Sequence, residues 1–419
     1  ALAALIAGNF EGDQRKAAYA VIGGVAGAGI AIGPILGGWA TTTYTWRIVF
    51  LFEVVLVVII LVMTKLLGDA VREGPSPKLD FVGTVLSATG LGLIVLGTLQ
   101  ASSWGWLQPK DSPITPFGFS LTPFVVMAGG LLVWAFVVWQ RHRENIGTDP
   151  LVHLDLVQIP PLRSGLVGLF TQNLILMGVF FIVPLYLQLV LGLDALETGL
   201  KMLPVSITMF LAAAMGSRLS ARFSVRGIVR TGLILSAVAI LLLLGTIEPT
   251  LDDSGFAWSM AVLGVGMGLI VSQLGNVVQS SVDASGRAEA GGLQFTGQQL
   301  GSSLGVALIG AVVLSGLTSG FVTNVQDDER ISTAVADQVG VAAGTGLDFV
   351  SADQIATAAT DAGISADETD AIVADYESAQ LQALKVGLLA TGVLVLLSLS
   401  STRNLPSQVS KPTEETVSV

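Results

Sequence analysis

Glu53 is the only carboxylate in this sequence that lies well inside an apolar run long enough to cross a membrane. An ionised side chain at that depth costs about 2.5–3.5 kcal/mol, so an acid retained there is a candidate for carrying a proton. It lies two helical turns after Trp46, where the run begins, and hence nearer one surface than the midplane. The alternative to proton coupling is a carboxylate that reaches the membrane interface or pairs with Arg47.

Amide side chains form a second polar set, spread over three apolar runs. On helices they either hydrogen-bond to a neighbouring helix or line an aqueous cavity, and the sequence leaves both roles open. An apolar and aromatic wall that carries a few amides suits a small lipophilic substrate. The residues predicted to line such a cavity are Gln172, Asn173, Phe180, Gln188, Gln273, Asn276, Gln294 and Gln298.

Glycines recur at every fourth position in one stretch, so on a helix they lie on one face that carries almost no side chains. In lipid such a face lets a second helix approach closely, and the proline beside it removes a backbone hydrogen bond and is expected to bend the helix. Generic close packing is the alternative to a specific role. The residues that we call the glycine motif are Gly29, Gly33, Pro34, Gly37 and Gly38. A second stripe with the same spacing consists of Gly297, Gly301 and Gly305.

The elements that must hold these residues are membrane helices. The 419 residues include 52% hydrophobic and only 12% charged residues, whereas an ordinary soluble protein carries about 25% charged residues. Ten apolar runs are long enough to span the hydrocarbon core as helices, so we predict an all-α, polytopic helical membrane protein. The runs are 17–40, 46–67, 81–101, 121–139, 166–190, 200–220, 229–247, 257–278, 292–322 and 381–399.

Most lysines and arginines fall on one side if successive runs cross the membrane in turn, and the positive-inside rule assigns that side to the cytoplasm. We call it the basic side, and the opposite one the acidic side. The C-terminus falls on the basic side, which predicts a multi-pass protein of the cytoplasmic membrane with a cytoplasmic C-terminus. The loop from Gly216 to Gly227, with Arg222 and Arg226, falls on the same side.

The glycine motif, read together with EGDQRKA before it and TYTWRIVF after it, resembles the antiporter signature of the fourteen-helix drug:proton antiporters of the major facilitator superfamily. This resemblance implies a major-facilitator-type fold in which two bundles rock about a central site. It also implies that about four helices precede residue 1, which leaves an incomplete N-terminal bundle and about ten transmembrane helices here.

The loop from Gly216 to Gly227 resembles the second copy of the cytoplasmic gating motif of that family. Arg222 and Arg226 match its basic positions. Ala221 stands where the family motif has aspartate, and Ser224 stands where it has glycine. Anchoring of the topology is therefore the alternative to a gating role.

On this resemblance the chain divides into five parts. These are a remnant of the N-terminal bundle (1–67), a two-helix linker insertion (68–145), the C-terminal bundle (146–322), an acidic helical cap on the outer side (323–378), and the last helix with a cytoplasmic tail (379–419). Within the cap, Ser351 and Ser365 open capping boxes, and Gly340 and Gly363 are expected to end short helices.

The predicted function is proton-coupled efflux of lipophilic drugs or other small molecules by alternating access, with the lipid bilayer, protons and a small lipophilic substrate as partners. Two alternatives remain open: a lipid or metabolite exporter of the same fold, and a non-transporting membrane sensor or scaffold. His142 and His153 lack a second ligand set, so we expect no metal site. The sequence contains no phosphate-binding loop, and we expect no ATP, no nucleic-acid partner, no cofactor and no enzymatic activity.

Overall fold

The computed structural model describes residues 29, 33, 35–65, 79–110, 112–283, 286–344 and 347–407. In these ranges the chain forms helices and no strand. Nine of the described helices are long and apolar enough to cross a membrane. They correspond to nine of the ten predicted runs, and most of the first run, 17–40, lies outside the described residues.

The first described range, 35–65, begins with a short helix at residues 35–43, and eleven longer helices follow. The helices are α1 (Trp46–Thr64), α2 (Phe81–Trp104), α3 (Thr122–Asn145), α4 (Pro160–Leu185), α5 (Ala195–Ser220), α6 (Val225–Leu244), α7 (Asp253–Ser280), α8 (Arg287–Asp327), α9 (Thr333–Gly344), α10 (Ala352–Asp361) and α11 (Ala366–Ser398).

The buried core lies among α4 to α8 and α11. Helix α7 packs between α5 and α6, and α8 packs between α4 and α11. Helices α2 and α3 form a hairpin that leans on the bundle through α8. Helix α1, in contrast, contains no buried residue. Most of the residues predicted to line a cavity lie on α4, α7 and α8.

A proline sets the end of α4. Pro184 lacks the amide hydrogen that would continue the backbone ladder, and the chain widens into the π-helical turn Tyr186–Val190. The Tyr186 side chain is fully buried, and its hydroxyl donates a hydrogen bond to the carbonyl oxygen of Glu248 at 2.7 Å. This contact fixes the end of α4 against the loop between α6 and α7.

The region predicted as the cap, 323–378, contains the last residues of α8, the whole of α9 and α10, and the first turns of α11. Helix α9 packs on α8, and α10 packs on α11.

The predicted capping box forms at Ser351, whose backbone amide donates to Gln354 Oε1 at 3.3 Å. At Ser365 only half of the box forms: the hydroxyl accepts from the Glu368 amide at 3.4 Å and donates to Glu368 Oε2 at 2.7 Å. Gly363 follows α10 with a φ of +79°. The prediction for Gly340 was wrong. That glycine lies inside α9, which continues to Gly344 through a run of helix-forming residues.

Asp80 is a buried carboxylate at the start of α2, with 3% of its surface exposed. Its Oδ1 accepts hydrogen bonds from the Gly83 amide and from Trp139 Nε1, both at 2.9 Å. Its Oδ2 accepts from Gln140 Nε2 at 2.8 Å, and Arg143 Nη1 lies 3.8 Å from Oδ1. This cluster joins the start of α2 to the end of α3 on the basic side.

Burial alone raises the pKa of Asp80, but the hydrogen bonds and the charge of Arg143 outweigh it, so the pKa of this carboxyl lies below its ordinary value. A carboxyl with a depressed pKa contributes stability above its ordinary pKa, and that contribution is lost as the pH falls through the lowered value. The contribution of Asp80 is therefore complete at neutral pH.

We expect Asp80→Leu to destabilise the protein by about 1–3 kcal/mol at pH 7, because buried donors lose their acceptor. The difference from the unmutated protein should begin to shrink only below the ordinary carboxyl pKa of about 3.9, where the unfolded chain takes up the proton first, and should vanish as the pH falls through the lowered pKa of Asp80. Thermal unfolding in detergent between about pH 2 and pH 7 measures both effects. Asp149→Leu, at an exposed position, is the control. A difference that stays constant with pH would contradict this account.

Candidate functional site

The glycine stripe on α8 brings that helix into backbone contact with α4. A side-chain carbon at Gly301 would collide with the carbonyl oxygen of Phe170, and one at Gly305 with that of Leu174. At Gly297 the nearest such atom is 3.8 Å away, which is ordinary van der Waals contact. The predicted stripe is confirmed as a packing face, and its partner is α4.

Helix α7 makes similar contacts on two sides. Gly264 and Gly268 stand against the backbone of α5, and Gly266 stands against Gly232 of α6, where an added Cβ would lie 2.7 Å from a carbonyl oxygen. Backbones at this separation leave no room for side chains between them. The polar residues of α7 are therefore held in fixed directions.

Asn173 lies where α4 faces α8, and it is hydrogen-bonded to its neighbour Gln172. Gln172 is 2% exposed, and its Oε1 accepts from Asn173 Nδ2 at 2.9 Å. Asn173 Nδ2 also donates to the Leu169 carbonyl at 3.0 Å, and Asn173 Oδ1 accepts from Ser302 Oγ at 3.4 Å. Because Asn173 is only partly buried, its Oδ1 is the atom of this group best placed to accept a further hydrogen bond from a ligand.

The amides of α7 point in different directions. Gln273 is 2% exposed, and its Nε2 donates to the Gly216 carbonyl of α5 at 3.0 Å. Asn276 is exposed. Gln279 turns towards α8, where its Nε2 lies 3.5 Å from Gln294 Oε1. The first of these side chains thus joins α7 to α5, and the last joins α7 to α8.

The remaining predicted cavity residues lie at different depths. Phe180 packs against the buried core of the bundle. Gln188 is exposed in the π-helical turn on the acidic side, and Gln298 is half-buried on α8. Gln294 lies near the start of α8, at the end of the bundle opposite to that of Gln188. The eight predicted residues therefore do not form one group in the described part of the chain.

Glu53 is exposed on α1. Its carboxylate has no hydrogen-bond or ion-pair partner within the described ranges. Arg47, the predicted alternative partner, instead places its guanidinium 4.6 Å from the ring centroid of Trp46. The Glu53 carboxylate is therefore accessible on the surface of the described structure.

The glycine motif is packed at one of its residues. A side-chain carbon at Gly38 would collide with the backbone of Ala195, at the start of α5. At the other three glycines of the motif, no heavy atom of the described structure lies within 4 Å of the same position. Pro34 lies outside the described residues. Gly38 thus carries the contact between the segment before α1 and the bundle.

A cleft of about 410 Å³ opens beside this contact. One wall is formed by residues around Gly38 and by the first turns of α1, and the other by the start of α5. The lining is almost entirely apolar. One buried polar residue, Thr198, also lines the cleft. It is 4% exposed, and its hydroxyl has no hydrogen-bond partner in the described structure. The volume is in the range of sites that hold drug-sized molecules.

The two arginines matched to the gating motif have different surroundings. Arg222 is exposed, and its side chain makes no hydrogen bond in the described ranges. Arg226 Nη2 donates to the carbonyl oxygen of Leu405 at 2.8 Å, beyond the end of α11.

Sequence reasoning missed Thr198 and Asp80. A signal existed for each of them. Asp80 directly precedes an apolar run, as an N-cap residue does, and Thr198 follows the capping box formed by Asp194 and Glu197. These signals locate the starts of helices, but they do not say which side chain faces a cleft.

Comparison with known proteins places these helices in a family. Residues 1–306 match the Major Facilitator Superfamily. The "Tetracenomycin C resistance and export protein" of Streptomyces glaucescens is 30% identical over 312 residues, which are 73% of this chain and 54% of that protein. The "Probable actinorhodin transporter" of Streptomyces coelicolor is 28% identical over 334 residues, 77% of this chain and 55% of that protein.

The "Multidrug efflux pump LfrA" of Mycolicibacterium smegmatis is 28% identical over 364 residues, 85% of this chain and 68% of that protein. A solved structure of a bacterial homologue of the human lysosomal transporter Spinster, inward-facing and unoccupied, covers 77% of this chain and 69% of its own, with 14% identity and a TM-score of 0.44. The chain spans about half the length of the two Streptomyces proteins. Because the family match covers well over half of the chain, this protein belongs to the Major Facilitator Superfamily of membrane transporters.

Proposed function

We propose that the chain is part of a proton-coupled exporter of small lipophilic molecules in the cytoplasmic membrane, with the basic side facing the cytoplasm. Family membership supports a transporter, and the names of the relatives, which include antibiotic export proteins and a multidrug efflux pump, support export. The exchange with protons is drawn from the resemblance of the glycine motif to the antiporter signature.

The contact of Gly38 with Ala195 is the observation that carries the proposal. It joins the segment assigned to the N-terminal bundle to the first turn of a helix assigned to the C-terminal bundle. In alternating access, such helices must meet closely in one state and part in the other. A glycine allows the meeting to be tight, since no side chain separates the backbones.

The cleft beside Gly38 is the proposed entry or exit point for substrate. Its apolar walls suit a lipophilic molecule, and the Thr198 hydroxyl, buried in the wall without a partner among the described residues, becomes a polar anchor when its side chain turns into the cleft. Asn173 Oδ1, between α4 and α8, would supply a second acceptor deeper in the bundle. Neither group carries a charge, so these two anchors do not select for the charge of the substrate.

Glu53 is the proposed proton-carrying group. It is the one acid well inside a predicted span, and an acid retained at a place where an ionised carboxylate is costly is a candidate for carrying a proton. A proton that binds when Glu53 faces the acidic side and leaves when it faces the basic side would drive export in the opposite direction.

Everted vesicles that contain the full-length protein test this proposal. An acid interior should drive ethidium into the vesicles, and nigericin, which collapses the pH gradient, should stop the uptake. Glu53→Gln should lower the gradient-driven rate at least about tenfold, since an amide cannot carry the proton. Glu329→Gln, an exposed acid beyond α8, is the matched control. Uptake that ignores the gradient in the unmutated protein would favour a different energy source, and no uptake at all would favour a non-transporting role.

A further inference from the structure

The chain does not leave the bundle when α11 ends. Residues Leu399–Asn404 form a 3-10 turn, and the following residues run across the start of α6. Thr402 is completely buried, and Leu405 is 1% exposed. Because a free polar tail would expose such residues, the segment 399–407 is a docked part of the structure. We call it the clasp segment.

Arg226, in the first turn of α6, holds the clasp segment by its side chain and its backbone. Its Nε and Nη2 donate to the Leu405 carbonyl at 3.1 and 2.8 Å. Its backbone amide donates to the Pro406 carbonyl at 3.1 Å. The first four amides of a helix have no partner within the helix, so the clasp segment supplies one that α6 lacks.

A second anchor lies one turn farther along α6. Arg230 Nε donates to Thr402 Oγ1 at 3.0 Å. Leu405 belongs to the same buried cluster as Val225 and Val229. The 3-10 turn also packs against α4. The clasp segment therefore touches α4 and α6 while being continuous with α11.

We propose that the clasp segment locks the basic ends of α4, α6 and α11 into one rigid block, with Arg226 as its positioning residue. The loop matched to the gating motif is then held by the chain's own C-terminal segment. The effect on transport rests on the proposed function, because a rocking bundle transmits motion only if its helices move together. The effect on local order does not depend on that function.

Hydrogen exchange in the full-length protein measures the local order. Arg226→Met should raise the exchange rate of amides 225–231 about tenfold, since the side-chain anchor is lost. Arg226→Lys, whose single ammonium nitrogen cannot replace the Nε and Nη2 pair that donates to the Leu405 carbonyl oxygen, should give an intermediate increase. Arg222→Met, an exposed arginine of the same loop, should leave this exchange unchanged. Unchanged exchange in Arg226→Met would overturn the proposal.

A second pair of variants places the same charge at a buried and at an exposed position of the clasp segment. Leu405→Asp puts a carboxylate into a buried position, whereas Asn404→Asp puts it on the surface. Only the first should raise the exchange at α6, and it should also lower the maximal efflux rate about fivefold with an unchanged KM. Raised exchange with a full maximal rate would overturn the rigid-block role.

Failure of the unmutated protein to export would refute the proposed exporter function. The exchange rates of the α6 amides test the clasp segment separately, because they do not depend on transport.

Discussion

Full-length protein that carries Gly38→Leu is expected to insert normally and to export at a rate at least about tenfold lower than the unmutated protein. The leucine side chain would occupy the space now taken by the backbone of Ala195. The two helices then cannot close on one another, so the state in which they touch becomes rare. Overpacking of a close contact typically costs about 1–3 kcal/mol, enough for this change in population.

Gradient-driven ethidium uptake into everted vesicles measures the export rate, normalised to the amount of protein in the membrane. Gly130→Leu is the matched control, because Gly130 lies in α3 with open space around the position of an added side chain. A symmetrical gel-filtration peak in detergent shows that each variant has folded. Full export by a well-folded Gly38→Leu protein would remove the glycine contact from the mechanism.

The positions of the membrane helices were predictable because the requirement behind them is local. A helix must satisfy its own backbone and must be apolar over the thickness of the hydrocarbon, and both conditions can be read along the sequence. The nine described spans accordingly overlap the predicted runs, while several begin or end some residues away. Helix α8, for example, extends from Arg287 to Asp327, beyond both ends of the apolar run.

Side-chain directions were harder to predict, because lipid is as apolar as the interior of the bundle. Hydrophobic periodicity therefore does not separate a lipid-facing side from a buried one. The amides of α7 illustrate the consequence, since Gln273 turns to α5 and Gln279 turns to α8. The glycine stripe of α8 was an exception, because small residues repeated at helical spacing indicate contact whichever neighbour makes it.

The clasp segment could not be predicted from the sequence for a different reason. Residues after α11 read as a polar tail, and the partners of Arg226 are far away along the chain. Two backbone carbonyl groups hold this arginine, and carbonyl groups carry no sequence signal. In contrast, the cluster at Asp80 has a local N-cap signature, an aspartate directly before an apolar run.

Gly301→Ala is expected to destabilise the folded protein strongly, whereas Gly297→Ala, one turn earlier, should leave its stability nearly unchanged. The added methyl group at Gly301 would collide with the Phe170 carbonyl of α4. A rigid backbone atom cannot move aside as a flexible side chain can, so α4 and α8 must separate along their contact. We expect a cost of about 3 kcal/mol, at the upper end of the range for overpacked cores. At Gly297 the same methyl group meets its nearest atom at 3.8 Å, which needs no movement.

Thermal unfolding followed by gel filtration in detergent compares the two variants, with Gly305→Ala as a third member of the series. Gly305 meets the Leu174 carbonyl as closely as Gly301 meets that of Phe170, so its alanine variant should resemble Gly301→Ala. Equal stability of all three variants would mean that α4 and α8 are farther apart in the membrane than in this structure. If Gly297→Ala is more stable than Gly301→Ala and Gly305→Ala, backbone contact is the feature that holds α4 and α8 together. Because Asn173 and Ser302 lie along the same contact, a separated pair of helices would also lose the hydrogen bond that orients the proposed acceptor for substrate.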